Sequence, residues 1–288
     1  MVRLLPLLGF ACLPAFAITP EELAAARALF EGRRPAEAQQ AFAALAATDP
    51  RHPEVNYYLG QLANRRDDPE SARRHFEAAT AVAPAEGRHH HGLGDALGRL
   101  AQRAPLLSRF GLAKQCLAAY ERAVELEPGS VEFRQSLFEY YRQAPGIAGG
   151  GYGKAEAQAA AIKRIDSLRG RIAFATLYAG EKKYDRAFAE FEEALRLNPD
   201  DYAALYQFGR LSAQTGREMD RGLAALRRCL ELPVPLAASA PGHAAVHYRL
   251  GLLLERKADR AGARVAYEAA LAVDPKYDPA AEALRKLL

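Results

Sequence analysis

Four groups of side chains in this sequence are of types that do chemistry. His89-His90-His91 is a run of imidazoles, the commonest metal ligands. Zinc needs ligands that converge on one point, from i and i+4 of a helix or from several elements. Three consecutive helical residues diverge by about 100° each, so the run cannot close around an ion. The stretch Ala144–Gly153, reading APGIAGGGYG and followed by Lys154, has the glycine content of a phosphate cradle. That cradle needs G-x-x-x-x-G-K and then Ser or Thr, after a strand. Here Ala148 stands at the first glycine position, Ala155 follows the lysine and no strand signal precedes, so nucleotide binding is not expected. Glu190, Glu192 and Glu193 fall at spacings of a solvated helix face. There is no G-x-S-x-G elbow and no H-E-x-x-H pair. The expectation is a non-catalytic protein with no cofactor and no metal.

The elements that carry these residues are helical. Half of the 288 residues are hydrophobic, with no tryptophan and two methionines. Alanine supplies much of that half, and it is the best helix former. No sustained alternation of β-branched residues marks a strand. The net charge is +4, with acids and bases interspersed along the chain. That is an ordinary solvated surface, not a nucleic-acid stripe.

The N-terminus reads differently. Arg3 gives a short positive region, Leu4 to Leu13 is apolar, and Ala15-Phe16-Ala17 has a small-x-small pattern. These are the parts of a secretory signal peptide, and the apolar run is too short to span a bilayer. Residues 1–17 are expected to be removed, leaving a periplasmic or secreted chain of residues 18–288 with no membrane span. Phe10 stands two residues before Cys12 and Gly9 three before it, so the aliphatic residue of a lipoprotein site is absent. The mature chain keeps Cys116 and Cys229, in distant repeats. They are expected to be buried free thiols too far apart to bridge.

A spacing repeats along the chain. Gly60, Ala72, Phe76, Ala79 and Pro84 are separated by 12, 4, 3 and 5 residues. Ala175, Ala187, Phe191, Ala194 and Pro199 follow the same steps, as do Gly251, Ala263, Tyr267, Ala270 and Pro275. Two small residues let a pair of helices approach closely, the aromatic fills the space between them, and the proline ends the second helix. The pattern resembles the tetratricopeptide repeat, a 34-residue helical hairpin. The resemblance implies an all-α, right-handed superhelical solenoid. Seven repeats are placed at about 19–50, 53–84, 87–128, 131–167, 168–199, 202–233 and 244–275. A capping helix follows at 279–288, with Asp278 before Pro279 as its start.

Three insertions break the period. Gly98–Phe110 is expected to lengthen the turn inside the third repeat, and Ala144–Gly153 the turn inside the fourth. Val234–Gly242 separates the sixth and seventh. Insertions in such arrays map to loops, where function often sits.

The resemblance also implies that the first helix of each hairpin lines a concave groove. Its fifth position carries Tyr57, His91, Gln135, Ile172, Tyr206 and Tyr248, and its ninth includes Gln61, Glu139 and Arg210. Asn64, Arg65, Arg142 and Arg256 follow further along the same helices. Aromatics and arginines are what protein interfaces favour. These residues, apart from Ile172, are the expected partner-binding groove, although half-buried tyrosine packing is the competing reading. The Lys and Asn clamp by which some relatives hold a C-terminal carboxylate is absent: Tyr57, Tyr58, His91 and Gly92 occupy the matching positions. The expected function is an adaptor or scaffold in the cell envelope that holds a protein or peptide. The alternative is a binder of glycans or small molecules, or an accessory subunit of an envelope enzyme.

Overall fold

Proline and aspartate punctuate a chain that is otherwise rich in helix formers, and the structure follows them. The computed structural model describes residues 17–235 and 240–287, and among these every long element is an α-helix. Fourteen helices form seven hairpins. These are α1 (Pro20–Glu31) with α2 (Pro35–Thr48), α3 (Pro53–Arg65) with α4 (Pro69–Val82), and α5 (Gly87–Arg103) with α6 (Leu106–Leu126). Next come α7 (Val131–Gln143) with α8 (Tyr152–Ile165), and α9 (Ser167–Gly180) with α10 (Tyr184–Leu197). The last two are α11 (Tyr202–Thr215) with α12 (Met219–Glu231), and α13 (His243–Arg256) with α14 (Arg260–Val273); α15 (Asp278–Leu287) closes the chain. Most of the signal-peptide segment, Cys12 included, lies outside the described residues, as does the middle of the Val234–Gly242 insertion. No helix among the described residues is long and apolar enough to cross a membrane.

Helix starts have local causes. Pro20, Pro35, Pro53 and Pro69 open α1 to α4, where a missing N–H leaves no bond unmade. Side-chain oxygens of Asp68, Asp166, Asp201 and Asp259 accept the backbone N–H three residues on, at 3.1, 2.9, 2.8 and 2.8 Å. Such a cap stabilises by about 1 kcal/mol. Four hairpins turn through three residues of which the middle one is left-handed: Arg33, Asp67, Lys182 and Ala258, with φ between 56 and 62°.

Packing within a hairpin depends on small residues facing large ones. A Cβ on Gly60 would lie 2.9 Å from the Phe76 ring, and one on Gly92, in the next hairpin, 2.4 Å from the same ring. Phe76 thus joins two repeats, and none of it is exposed. Gly94 meets Tyr120, Gly209 meets Leu226, and Gly251 meets Tyr267 in the same way. Burying each such side chain contributes roughly 1.5–3 kcal/mol.

The chain forms two compact units, one ending at Phe133 and one beginning at Arg134. In the first, Phe42 stacks on Tyr58 at 4.8 Å within a cluster that includes Val55 and Leu62. In the second, Phe188, Phe191, Phe208, Leu211, Leu226 and Leu253 share one core.

One insertion differs from the lengthened turn expected, and the other forms it. Gly98–Phe110 continues the helices: α5 runs to Arg103 and α6 starts at Leu106, leaving only Ala104-Pro105 as a break. Of the inserted apolar residues, Leu100 and Ala101 on α5 are buried, while Leu106 and Leu107 at the start of α6 are exposed. The Ala144–Gly153 stretch folds a short 3-10 turn over Gly146–Ala148. Tyr140 donates its hydroxyl proton to the Ala148 carbonyl at 2.8 Å, and Lys154 Nζ donates to the Gly149 carbonyl at 3.0 Å. The lysine that a phosphate site would use therefore closes this turn.

Candidate partner-binding face

The chemistry-bearing groups of the sequence act mostly as packing. His89 is buried with its ring 5.5 Å from Tyr57, and His91 stacks on Phe133 at 4.7 Å. His90 Nε2 bonds the Pro84 carbonyl at 2.9 Å; a carbonyl only accepts, so the imidazole donates. Among the described residues no three His, Cys, Asp or Glu groups are grouped to hold a metal ion. Cys116 and Cys229 are free and buried, and burial pushes both thiols up to about 12. The carboxylates expected on a solvated face bind cations instead. Glu190 accepts from Arg171 at 2.9 Å and pairs with Lys163 at 3.5 Å, Glu192 pairs with Arg221 at 2.5 Å, and Glu193 pairs with Arg171 and Arg196.

The expected groove residues divide. In the first unit Tyr57 is half-buried against Tyr58, Phe76 and His89, with the Arg88 guanidinium 4.9 Å from its ring. Arg88 pairs with Glu86 at 3.4 Å, so that cation is already matched. Gln61 is half-buried, while Asn64 and His91 are 8% and 7% exposed. Arg65 lies with its guanidinium 3.8 Å above the Phe30 ring.

In the second unit Gln135 and Arg142 are exposed, and Glu139 accepts from Arg142 at 2.6 Å. Tyr206 is 8% exposed, whereas Arg210 and Tyr248 are half-buried. Arg256 donates to the Ala213 and Gln214 carbonyls at 2.7 and 3.0 Å, capping the end of α11. Arg99 does the same for α3 in the first unit, donating to the Asn64 carbonyl at 3.0 Å. Thus Asn64, His91 and Tyr206 pack, and Arg65 and Arg256 grip the preceding hairpin. These positions fall where the first helices of consecutive hairpins meet, so neighbouring repeats use their side chains.

What remains is one cluster in the second unit. On α11, Arg210 Nε donates to Gln207 Oε1 at 2.6 Å. Burial holds its guanidinium below the ordinary arginine range, Arg249 and Arg142 push further down, and Tyr206 and Glu139 oppose this. On α13, the Arg249 guanidinium lies 5.2 Å from the Tyr248 ring, and its Nε is buried without a hydrogen-bond partner. Tyr277, in the turn before α15, packs edge-on to Tyr248 at 5.8 Å. Burial, then the neighbouring Tyr206, raises its phenol, and Arg249 opposes them. Among the described residues no carboxylate forms an ion pair with Arg210 or Arg249; Glu139 is held by Arg142. Sequence reasoning missed Arg249 and Tyr277. Arg249 directly follows Tyr248 on α13, and an arginine beside an expected groove tyrosine was a usable signal. Tyr277 sits in a turn, where no periodicity points to it.

Comparison with known proteins agrees with this architecture. Tetratricopeptide-repeat family models match residues 23–81, and again 168–201 and 244–277. No curated protein matches by sequence. Among solved structures, a tetratricopeptide repeat protein from Parabacteroides merdae is 15% identical with a TM-score of 0.66, over 93% of this chain and 97% of that one. Pseudomonas aeruginosa pilF is 15% identical with a TM-score of 0.54, over 81% of this chain and 97% of its own. The Thermus thermophilus protein TTC0263, also a tetratricopeptide-repeat protein, is 19% identical with a TM-score of 0.51, over 73% of this chain and 98% of its own. At such identities the likeness is one of fold. With its repeated small–small–aromatic–small–proline spacing, its hairpins and these matches, the chain is an all-helical tetratricopeptide-repeat protein.

Proposed function

We propose that this chain is a non-catalytic scaffold of the cell envelope, exported by its N-terminal segment, that holds a segment of a protein partner on the first-helix face of its second unit. The repeat is, as a class, a scaffold for protein interaction. The observation that carries the finer reading is the cluster of Arg210, Tyr248, Arg249 and Tyr277, where half-buried cations lie among aromatic rings and, among the described residues, form no ion pair with a carboxylate. Arginine and tyrosine in that state are what the centre of a protein interface uses. Acids and bases alternate elsewhere on the chain, which favours a protein over a nucleic acid.

The test is site-specific photocrosslinking in the native host. A photoreactive residue at Gln207, beside the cluster, should capture a discrete protein. The same residue at Glu268, on the exposed side of α14, should not. Capture only from Glu268 would move the binding face to the second helices. Capture from neither would remove the protein-partner reading and leave a glycan or small ligand. Export is checked by the N-terminal sequence of the native chain, which should begin at Ile18.

A further inference from the structure

We propose that the segment bound by the second unit is acidic, and that one of its carboxylates seats between the guanidinium groups of Arg210 and Arg249. This rests on the protein-binding reading above and adds the chemistry of the partner. The two cations come from successive first helices, α11 and α13, which belong to one packed core. Each is half-buried, so each has given up part of its hydration. Arg210 uses its Nε on Gln207, which leaves its terminal nitrogens to donate. Arg249 has a buried Nε with no acceptor. A guanidinium presents its N–H groups in a fixed planar fork that matches a carboxylate in a bidentate pair. The nearby acid, Glu139, is bound by both Arg142 and Gln143, so among the described residues no carboxylate forms an ion pair with either arginine.

The surroundings favour a peptide over a free ion. Tyr248 and Tyr277 form an aromatic wall beside Arg249, on which the apolar part of an Asp- or Glu-containing segment can pack. The first unit also holds an arginine over a tyrosine, in a different setting. There Arg88 lies over Tyr57, and Glu86 pairs with it. In the second unit Arg249 lies over its own neighbour Tyr248 on α13, and among the described residues no carboxylate pairs with it. The acid is what the partner brings.

The experiment selects peptides from a displayed random library against the full mature chain. Each selected peptide is then synthesised in four forms: as selected, with Glu and Asp replaced by Gln and Asn, with the C-terminus amidated, and with a phosphothreonine in place of one acid. Selected peptides should be rich in Asp and Glu. Replacing the acids by amides should weaken binding by about tenfold to a hundredfold, the range for removing one partner of a desolvated charge pair. Arg249→Gln should produce a similar loss for the acidic form and little further loss for the amide form, while circular dichroism shows an unchanged melt. Arg210→Lys provides a second variant that keeps the charge but not the fork, and it should bind more weakly than the parent. A loss on C-terminal amidation alone would assign the carboxylate to the chain end, and a loss on side-chain amidation alone would assign it to Asp or Glu. A phosphothreonine form that binds tenfold more tightly than the acid would overturn the carboxylate in favour of a phosphopeptide. Peptides that bind equally well as acids and amides, yet lose binding in Tyr248→Ala, would sink the acidic assignment and leave the face intact. If no peptide is selected at all, the acidic assignment and the peptide-binding reading fall together.

Discussion

A methyl group on Gly251 would lie 2.4 Å from the Tyr267 ring, and that ring has no exposed surface into which to move. Its hydroxyl is also held, donating to Glu255. Alanine in a helix is favoured over glycine by about 1 kcal/mol, but forcing an atom into a packed core costs roughly 1–3 kcal/mol. Gly251→Ala should therefore lower the unfolding free energy by about 1–2 kcal/mol. Gly180 ends α9 on an exposed turn where an added Cβ meets nothing within 4 Å, so Gly180→Ala should raise it by about 0.5–1 kcal/mol. Urea midpoints of the two variants check the pair, and equal shifts would mean that Tyr267 can yield. This contrast explains why so much of the fold was legible. The spacing from Gly60 to Phe76, or from Gly251 to Tyr267, is itself a contact between the two helices of a hairpin, written into residue size. The site was less legible because residue type at one repeat position does not determine exposure. Tyr57, Tyr206 and Tyr248 share a position, yet Tyr206 is buried while the others are half-buried.

Between elements, the turns of four hairpins place an L-residue in the left-handed region where glycine would be at ease. Arg33, Asp67, Lys182 and Ala258 share this conformation, although nothing in their types announces it. Two of these turns stay anchored by the residue that follows, Asp68 or Asp259, which caps the next helix. The backbone is thus fixed by the helices on either side, and the middle residue accepts the strain. For a non-glycine residue that strain is of order 1–2 kcal/mol, while glycine raises the entropy of the unfolded chain by less. Ala258 is exposed and has little packing to lose, so Ala258→Gly should stabilise the protein by about 0.5–1 kcal/mol in equilibrium urea unfolding. A loss of stability would mean that the turn is not strained. The same logic of helix against helix shows why Gly98–Phe110 became helix. The inserted stretch lengthens α5 and α6 together, burying Leu100 and Ala101 on α5 while Leu106 and Leu107 at the start of α6 stay exposed.

Across the whole molecule, buried imidazoles set the response to acid. His75, His89 and His247 all have pKa values lowered from 6.5, with burial as the largest cause. His75 is also fixed in its tautomer. Asn56 donates its amide to the Pro50 and His52 carbonyls at 2.9 and 3.1 Å, which leaves Asn56 Oδ1 to accept from His75 Nδ1 at 3.0 Å. Well above pH 6.5 these rings are neutral in both folded and unfolded chains, so they contribute no pH dependence there. As pH falls below 6.5 the unfolded chain binds protons that the folded chain refuses, and stability is lost down to the folded-state pKa values. The carboxylates whose pKa values are lowered, such as Asp68 beside Ser71 and Asp200 beside Arg228, act in the same direction only at lower pH, within the carboxylate range. The interval between pH 6.5 and about 5 therefore isolates the histidines. The urea midpoint should be flat from pH 8 to 7 and fall from pH 6.5 to 5. His89→Gln should flatten part of that fall. Two of the three rings, His75 and His89, lie in the unit ending at Phe133, and only His247 lies in the unit beginning at Arg134. Repeat arrays unfold through neighbouring elements and need not open as one body. Hydrogen exchange at pH 5.5 should accordingly show a larger loss of protection in α3 to α5 than in α11 to α14. Equal loss in both units would mean that the array unfolds as a single cooperative body, and a flat midpoint would mean that the buried rings accept their protons without opening the fold.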